Sequence, residues 1–455
     1  MVPPPATSET AAKKSSFREM LENHNFVLLW WGQLISSIGD RFTSAALLFF
    51  VFKGEEVGKY TAQFSFAGML PGLLFAPLYG WIIDSFDRKT IMIVADIIRI
   101  YVVLTFVYVL SDQNPDYMLA CLALFILGTF NGLFIPARQS ALPQIVEPDR
   151  LLTANSLIAL LGPVGTLLGT PLAILIIKIV DPCNAYLINA LTFGASAVCI
   201  MRITRELWPD KKESASTEHE PLKKSWSELA DGWKTLLSHR PLIPLVLIHG
   251  LFAFSSLMFI VVVMEHAKKN IDIAPIKTFL EPLVAWLHIP ILDHSEYQMI
   301  AVATLFICVF LGMGLGIYFA GQAKRAVHWN ALPHVGLIGL GLGFFVFANL
   351  THLAIVLPFG LLLGALATAI PVPIEARIQN DVANHHRGRL FALRNMWTTL
   401  CGLTALGLNI DGRLLKLYGA PTMITWLGAA MVTAALLLLL RDLSVLRTFW
   451  TARQQ

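Results

Sequence analysis

Charged residues are scarce in this chain. Asp, Glu, Lys and Arg make up 14% of its 455 residues, and hydrophobic residues make up 56%, whereas ordinary soluble domains carry roughly 25% charged residues. This composition excludes a water-soluble function for most of the chain. The small net charge of +4 gives no indication of a nucleic-acid partner.

Cysteine is rare as well, and motifs that carry chemistry are missing. The five cysteines show neither a CxxC pair nor a Cys/His spacing, so we predict no disulfide framework and no metal site. The chain has no Gly-Lys-Ser/Thr phosphate loop, no HExxH motif and no GxSxG motif. We therefore expect that it is not an enzyme and needs no cofactor.

Long apolar stretches, by contrast, recur along the whole chain. A lipid core about 30 Å thick needs about 20 mostly apolar residues per helix, and twelve stretches are near that length. Helices are the only form that fits, because the stretches are apolar on every face and lipid leaves unpaired backbone groups unsatisfied. We predict an all-α membrane protein with spans at 26–52, 60–83, 91–110, 116–137, 154–180, 184–201, 241–264, 298–320, 330–349, 352–374, 390–410 and 421–440.

The basic residues predict the orientation. An even number of spans places both termini on one side, and 23 of the 34 Lys and Arg residues fall on that side. Eight fall on the other side, and three lie inside spans. Because basic residues accumulate in cytoplasmic loops, we expect both termini in the cytoplasm of a bacterial plasma membrane protein.

The longest polar stretch, residues 202–240, divides the chain into two halves. We predict a tail at 1–25, a six-helix bundle at 26–201, a cytoplasmic linker at 202–240, a second six-helix bundle at 241–440 and a tail at 441–455. The sequence at the end of the linker predicts an amphipathic helix that lies either on lipid or on the ends of the spans. Its apolar residues at helical spacing are Trp226, Leu229, Trp233, Leu236 and Leu237.

Two connections along the chain look like copies of each other. Pro136-Ala137-Arg138 follows the fourth span, and Pro373 with Ala376-Arg377 follows the tenth. Asn155 opens the fifth span as Asn395 opens the eleventh. Duplicated halves related by an axis along the membrane normal are a recurring transporter design, with the substrate site near the middle of the membrane between them.

The strongest local motif lies between the second and third spans. Its residues Gly80, Asp84, Arg88 and Lys89 resemble motif A of the major facilitator superfamily, with Asp87 where that family usually has Gly. Other segments resemble the branch of enterobactin and macrolide exporters. They are Leu29-Trp30-Trp31-Gly32-Gln33, Gly39-Asp40-Arg41, Ala95-Asp96-Ile97-Ile98-Arg99 and Arg387-Gly388-Arg389-Leu390-Phe391-Ala392.

The resemblance implies a conformational role for this motif. In the resembling transporters the Asp at the position of Asp84 holds the cytoplasmic ends of helices two and eleven together, and Arg394 is placed to add to that contact. The alternative is that Arg88 and Lys89 only anchor the loop to lipid headgroups. A second segment, with Gly162, Pro163, Gly165 and Gly169, partly resembles the antiporter motif of proton-driven drug exporters and points to export.

Ionisable residues inside the spans indicate a cavity, because a charge in lipid is costly unless it is paired or hydrated. Asp40 lies about 21 Å along its helix from Phe26, at or beyond the membrane midplane. Its role is either proton coupling or structural. Asp96 and Arg99, three residues apart, can pair on one helix face, and the pair either belongs to the cavity or only neutralises itself near the cytoplasmic end. His249 is either a group that titrates near neutrality or a hydrogen-bonded packing residue. The residues predicted for the coupling and substrate cavity are Gln33, Asp40, Arg41, Asp96, Arg99 and His249.

Residues 265–297 form an insertion between the seventh and eighth spans. It is longer than the connection usual in the resembling family, and it carries apolar residues between Pro275, Pro282 and Pro290. We expect it to lie on the outer leaflet and either cover the exit mouth, contact an amphiphilic substrate, or pack as a plain loop.

These observations together predict a secondary transporter that works by alternating access. The leading hypothesis is a monomeric, proton-coupled exporter of a small amphiphilic compound, either a siderophore or a drug-like molecule, powered by the proton gradient. The first alternative is a lysophospholipid flippase of the same fold. The second is a membrane receptor or scaffold that moves nothing, which would lack a continuous cavity between the halves.

Overall fold

The computed structural model describes residues 20, 22–110, 116–147, 150–180, 182–204, 207, 231–286, 292–322, 331–382 and 384–441. Within these residues every extended regular element is a helix, and one isolated β-bridge joins Asp272 to His352. The predicted tails lie outside this part of the chain almost entirely, as do Trp226 and Leu229 of the linker.

The helices follow the predicted spans. Those of the first half are α1 (His24–Lys53), α2 (Val57–Leu74), α3 (Ala76–Ser85), α4 (Arg88–Val109), α5 (Tyr117–Ile145), α6 (Leu151–Ala159), α7 (Leu161–Val180) and α8 (Pro182–Met201). Those of the second half are α9 (Ile243–Asn270), α10 (Ala274–Trp286), α11 (His294–Gln322), α12 (Leu332–Phe347), α13 (Leu353–Thr368), α14 (Pro371–Asp381), α15 (Asn384–Gly407), α16 (Arg413–Tyr418) and α17 (Ala420–Arg441).

Ten of the twelve predicted spans are long and apolar enough to cross a bilayer in the described residues. Nine count as single spans, two of them across a short break in the helix, and the tenth is α2 with α3, which meet at a bend of 60°. The ninth predicted span coincides with α12, which has only 16 residues. The eleventh coincides with α15, whose first turn carries polar and basic residues. For these two positions the membrane crossing stays a prediction.

Several predicted boundaries differ from the structure. The spans at 60–83, 154–180 and 352–374 are each broken into two helices, close to Pro77, Pro163 and Pro371, because proline removes a helix hydrogen bond and clashes with the preceding turn. The fourth span continues beyond residue 137 to Ile145. The seventh span continues as helix through Asn270, so the insertion begins later than residue 265. Glu265 and His266 are buried there, which explains the longer helix.

Small residues let the helices approach closely. α11 packs along α13, where a Cβ on Gly312 would collide with the carbonyl of Leu361 and one on Gly364 with the carbonyl of Val309. In the first half, α1 packs on α7 and α8, and α4 packs on α5 and α8. The halves meet where α11 contacts α1 and α7, and where α2 contacts α9 and α15.

The linker ends in a short helix over residues 231–238. Leu236 is buried, and Gly232 lies against the backbone of Arg389 on α15. Trp233 and Leu237 are exposed on its other side. This part of the linker therefore packs on the end of a second-half helix and also presents an apolar face outward.

The helix directions define two ends of the molecule. The terminal face holds the start of α1, the loop 86–87, the start of the linker and the end of α17. The far face holds the connections at 54–56, 271–273, 349–352 and 408–419.

Candidate functional site

A buried ion pair lies inside the first half. Nη2 of Arg99 on α4 donates to Oδ1 of Asp96 at 2.6 Å, and the side chains are only 5% and 0% exposed. Nη1 donates to Oδ1 of Asn131 on α5 at 3.0 Å. The rings of Phe134 and Phe193 lie 4.2 and 4.8 Å from the guanidinium. A buried charge requires such partners, and the spacing of three residues had predicted the pair.

Asp40 brings a second carboxylate to the same arginine. It lies on α1, half-buried, and interacts electrostatically with Arg99 and with its neighbour Arg41. Arg99 is therefore hydrogen-bonded to Asp96 and lies within electrostatic range of Asp40, whose carboxylate also interacts with the side-chain amide of Asn189. One turn further along α1, Ser44 is exposed and donates its hydroxyl to the carbonyl of Asp40 at 2.9 Å. α1 thus places Asp40 near the buried Arg99 and, one turn further along, Ser44 at an accessible position.

Gln33 continues the polar contacts toward the terminal face. Its Nε2 donates to Oγ of Ser196 on α8 at 3.1 Å, and its Oε1 accepts from Nη1 of Arg138 on α5 at 3.0 Å. Ser196 also lies beside Asp96. A connected set of polar groups therefore crosses the first half from Arg138 to Arg99. We name this set the polar cluster; it comprises Gln33, Asp40, Asp96, Arg99, Asn131, Arg138 and Ser196.

Three members of the polar cluster were not predicted as site residues. Arg138 had been assigned to the connection after the fourth span, because that span was expected to end at residue 137, whereas α5 continues to Ile145. Asn131 and Ser196 are uncharged residues within apolar helices, and nothing in the sequence distinguishes them from ordinary packing residues.

A second, smaller group of polar residues lies in the second half. Nη1 of Arg394 on α15 pairs with Oε1 of Glu375 on α14 at 3.1 Å, and Nη2 donates to Oδ1 of Asn395 at 2.8 Å. His249 of α9 faces Arg394, and its Nδ1 is buried without a hydrogen-bond partner. The structure thus brings two predicted residues together, Arg394 and His249, and adds Glu375.

Ion pairs and hydrogen bonds close the far face between the two halves. Nζ of Lys178 on α7 contacts both carboxylate oxygens of Glu296 on α11, at 2.8 and 2.7 Å. Oε2 of Glu265 on α9 accepts from the backbone N–H of Gly58 at 3.0 Å. Nζ of Lys268 donates to the carbonyl of Phe52 at 3.0 Å. Each of these contacts joins a first-half helix to a second-half helix.

Glu56, in the far-face loop between α1 and α2, adds to this closure. It pairs with Lys416 of α16 in the second half and, at 2.6 Å, with Lys59 in its own half. The hydrogen bond from Lys416, which has the larger effect, and the one from Lys59 hold the pKa of Glu56 below its ordinary value of 4.5. The ionised carboxylate therefore belongs to the closed far face.

The contacts described between the two halves are concentrated at the far face. At the terminal face, the side-chain amide of Asn23 donates to the carbonyl of Ile145 within the first half, and Arg394 pairs with Glu375 within the second half. A Cβ on Gly80 of α3 would meet no atom of another helix within 4 Å.

The model of one protein family, the Major Facilitator Superfamily, matches residues 29–406. The chain belongs to the major facilitator superfamily. The resemblance seen in the sequence is confirmed, and the protein is a multi-pass membrane transporter of small molecules, not an enzyme. Across the described ranges, no three His, Cys, Asp or Glu side chains lie together as metal ligands would.

Relatives in this superfamily are distant but cover most of the chain. An uncharacterised MFS-type transporter, YfiS of Bacillus subtilis, is 24% identical over 90% of this chain and 91% of its own. Macrolide efflux protein A of Streptococcus pyogenes is 21% identical over 70% and 78%. The lysophospholipid transporter LplT of Klebsiella pneumoniae is 24% identical over 83% and 85%.

A solved structure with the same fold is that of the peptide transporter POT in complex with sulfate. It matches with a TM-score of 0.64 at 14% identity, over 93% of this chain and 95% of the other. At this identity the match shows the major facilitator fold alone.

The loop that resembles motif A binds the start of the linker. Asp87 caps α4 by accepting from the N–H of Thr90 at 2.9 Å, and its other oxygen accepts from the N–H of Leu207 at 3.2 Å. Nζ of Lys89 donates to the carbonyl of Ile203 at 2.6 Å. Arg88 is 4% exposed, and its backbone N–H donates to the carbonyl of Leu207. Both basic residues thus have partners at the start of the linker in this conformation.

The expected contact between Asp84 and Arg394 is not made in this conformation. Arg394 pairs with Glu375 instead, and none of the described ion pairs involves Asp84, which is half-buried near the end of α3. In the superfamily this contact belongs to the state in which the terminal ends of the helices meet. Its role here stays a prediction for that other state.

The segment that resembles the antiporter motif packs α7 against α1. A Cβ on Gly165 would collide with the hydroxyl of Ser37, and one on Gly169 would lie 2.8 Å from Cγ of Arg41. Gly162 and Pro163, by contrast, are exposed. Two of the four motif residues therefore set the distance between α7 and the helix that carries Asp40.

Proposed function

We propose that this transporter is a proton-coupled exporter of a small amphiphilic compound, powered by the proton gradient and working by alternating access. We also propose that it acts as a monomer in a bacterial plasma membrane. The excess of basic residues on the terminal face supports a cytoplasmic location for that face.

With this orientation, we infer that the conformation is inward-facing. The contacts at the far face seal the outer end of the path between the halves, so that the path opens to the cytoplasm. An exporter loads its substrate from the cytoplasm in this state. Exchange between this state and an outward-facing one is a shift between two populations that substrate and protons bias.

The arginine shared by two carboxylates is the single observation that carries proton coupling. One guanidinium balances one carboxylate, and an unbalanced charge inside a bundle is costly. Arg99 is hydrogen-bonded to Asp96, and Arg138 to Gln33, so the charge of Asp40 is balanced either by its neighbour Arg41 or by a proton. This choice gives the polar cluster two states that differ by one proton.

The position of Arg41 links that choice to the conformation. Its side chain lies against Gly169 on α7, and the same helix carries Lys178, which pairs with Glu296 in the second half. When the far face opens, α7 loses that contact and shifts relative to α1. Arg41 moves with the α1–α7 interface, so the balance at Asp40 changes and a proton is taken up or released.

The test is transport in proteoliposomes with an imposed pH gradient and a radiolabelled macrolide as the probe. We expect Asp40→Asn to abolish accumulation driven by the gradient but to keep exchange of labelled for unlabelled macrolide, because exchange needs no net proton movement. Glu147→Gln is the control, since Glu147 is 70% exposed and pairs only with Arg150 on the terminal face. Full gradient-driven accumulation by Asp40→Asn would refute the proposal.

A second candidate is transport of lysophospholipid. The relative LplT carries that name, and an apolar pocket lies between α7 and α11 beside exposed side chains of α7. Movement of a fluorescent lysophospholipid across proteoliposome membranes, together with no macrolide transport, would favour this candidate over the first.

A further inference from the structure

An apolar cavity of about 280 Å³ lies near the far face, where α7, α10 and α11 meet. Ile174 and Leu175 line it from α7, Ala303 and Ile307 from α11, and Leu280 and Val284 from α10. Its walls thus come from both halves of the transporter and from the insertion between α9 and α11.

The polar groups in the cavity wall are already satisfied by the protein. The hydroxyl of Thr304 donates to the carbonyl of Ile300 at 2.7 Å, and Nζ of Lys178 is held by both oxygens of Glu296. Water in the cavity would find at most the third N–H of Lys178 and the hydroxyl oxygen of Thr304 as partners, fewer than it needs, and a polar ligand would lose hydration with little compensation. The chemistry of the wall therefore selects a hydrocarbon.

The depth of the cavity fits one leaflet of the bilayer. Pro171 and Lys178, both in its wall, are seven residues apart on α7, which corresponds to about 10 Å along a helix axis. Lys178 lies two residues before the end of α7, and half of a lipid core is about 15 Å. The cavity therefore extends from the membrane surface into the outer leaflet's hydrocarbon.

The side chains around the cavity face lipid. Leu172, Leu175 and Ile179 of α7 are exposed, and in a spanning helix such side chains contact acyl chains. On α10, Phe279 and Trp286 are 75% and 74% exposed and lie seven residues apart on one face. Aromatic residues in this arrangement are typical of the membrane–water interface. α10 thus lies at the level of the headgroups and covers the cavity from that side.

We propose that this cavity binds one acyl chain of a phospholipid from the outer leaflet. Because the Lys178–Glu296 pair carries no net charge, the site selects the chain and not an anionic headgroup. The chain lies between α7 and α11 and contacts both halves, so it binds the closed far face better than the open one and stabilises this conformation. The inference rests on the fold, the membrane location and the proposed orientation of the far face, not on proton coupling or a particular substrate.

The test uses the full-length transporter in phosphatidylcholine nanodiscs that contain a trace of phosphatidylcholine with a photoreactive diazirine in one acyl chain. After illumination, mass spectrometry maps the labelled residues. We expect labelling concentrated at the cavity residues of α10 and α11. Val284→Trp and, independently, Ala303→Trp fill the cavity and should each reduce that labelling at least fivefold. Leu342→Trp, on the exposed side of α12, should leave it unchanged.

Three results would overturn the proposal. The first is labelling of the cavity no stronger than of exposed α12 residues and unaffected by both filling variants. The second is labelling that rises several-fold when the probe has an anionic phosphatidylglycerol headgroup, which would indicate a headgroup site. The third is loss of labelling when unlabelled macrolide or lysophospholipid is added, which would make the cavity a substrate site.

Discussion

Removal of one charge from the far face should open the transporter toward that side. The Lys178–Glu296 pair joins the two halves, its side chains are only 19% and 8% exposed, and the amine contacts both carboxylate oxygens. Hydrogen bonds to charged groups contribute about 1.5–3 kcal/mol. In the outward-facing state the two side chains separate into water, so Glu296→Gln removes this contribution from the closed state alone.

The expected shift follows from that magnitude. Since about 1.4 kcal/mol corresponds to a tenfold change in an equilibrium constant, Glu296→Gln should raise the ratio of outward-facing to inward-facing molecules by about 10- to 100-fold. Pulsed electron resonance between spin labels measures the two populations directly. Suitable far-face positions are Met118 and Leu417, which are 82% and 71% exposed and lie in different halves. The five natural cysteines are replaced beforehand.

The matched control is Glu281→Gln. Glu281 also pairs with a lysine near the far face, but the pair is 55% exposed on both sides and lies within α10, so it does not bridge the halves. We expect a longer far-face distance in Glu296→Gln and the wild-type distribution in Glu281→Gln. Identical distributions in both variants would refute the assignment of Lys178–Glu296 to the closure.

Three further predictions concern packing, pH and the linker. Gly169→Val should destabilise the protein by about 1–3 kcal/mol through overpacking against α1, whereas Gly162→Ala, in open space, should change thermal stability by about 1 kcal/mol or less; equal melting temperatures for both variants would contradict this. Because the far face holds the pKa of Glu56 below its ordinary value of 4.5, its contribution to closure is complete above that value and is lost as the pH falls through the lowered pKa. The spin-label distances should therefore lengthen on acidification, and Glu56→Gln should remove the part of this change that comes from the Lys416 contact. Asp87→Ala should cost about 1 kcal/mol of stability by removing the cap on α4 and should increase proteolysis at the start of the linker; unchanged proteolysis would show that this contact does not hold the linker.

The fold was largely predictable because bilayer physics leaves few options. Lengths and hydropathy located the spans, and the repeat after Pro136 and Pro373 indicated two related halves. Breaks inside spans were not predicted, since Pro77 and Pro163 interrupt their helices whereas Pro136 and Pro143 lie inside α5. Whether a proline breaks a helix depends on neighbouring helices that can satisfy the freed backbone groups.

The candidate site was predictable only in its charged residues. A charge within a span is informative because it is costly, so Asp40, Asp96 and Arg99 were recognised, and their spacing predicted one pair. Ser196 joins them only because α8 packs against α1 and α4, which no single stretch of sequence shows. Lys178 and Glu296 lie 118 residues apart near span ends, where charges are ordinary, so their role in the closure became visible only in three dimensions.

The central claim is that the two halves expose α1 beside Asp40 alternately to the two sides of the membrane. Its most direct measurement is labelling of Ser44→Cys, on the exposed turn next to Asp40, with a membrane-impermeant maleimide applied from either side. With Ser44→Cys alone, we expect labelling from the terminal face in inside-out vesicles and none from the far face in spheroplasts. In the double variant that also carries Glu296→Gln, far-face labelling should rise. Reaction only with a membrane-permeant reagent, or equal labelling from both sides in the wild-type background, would contradict the account.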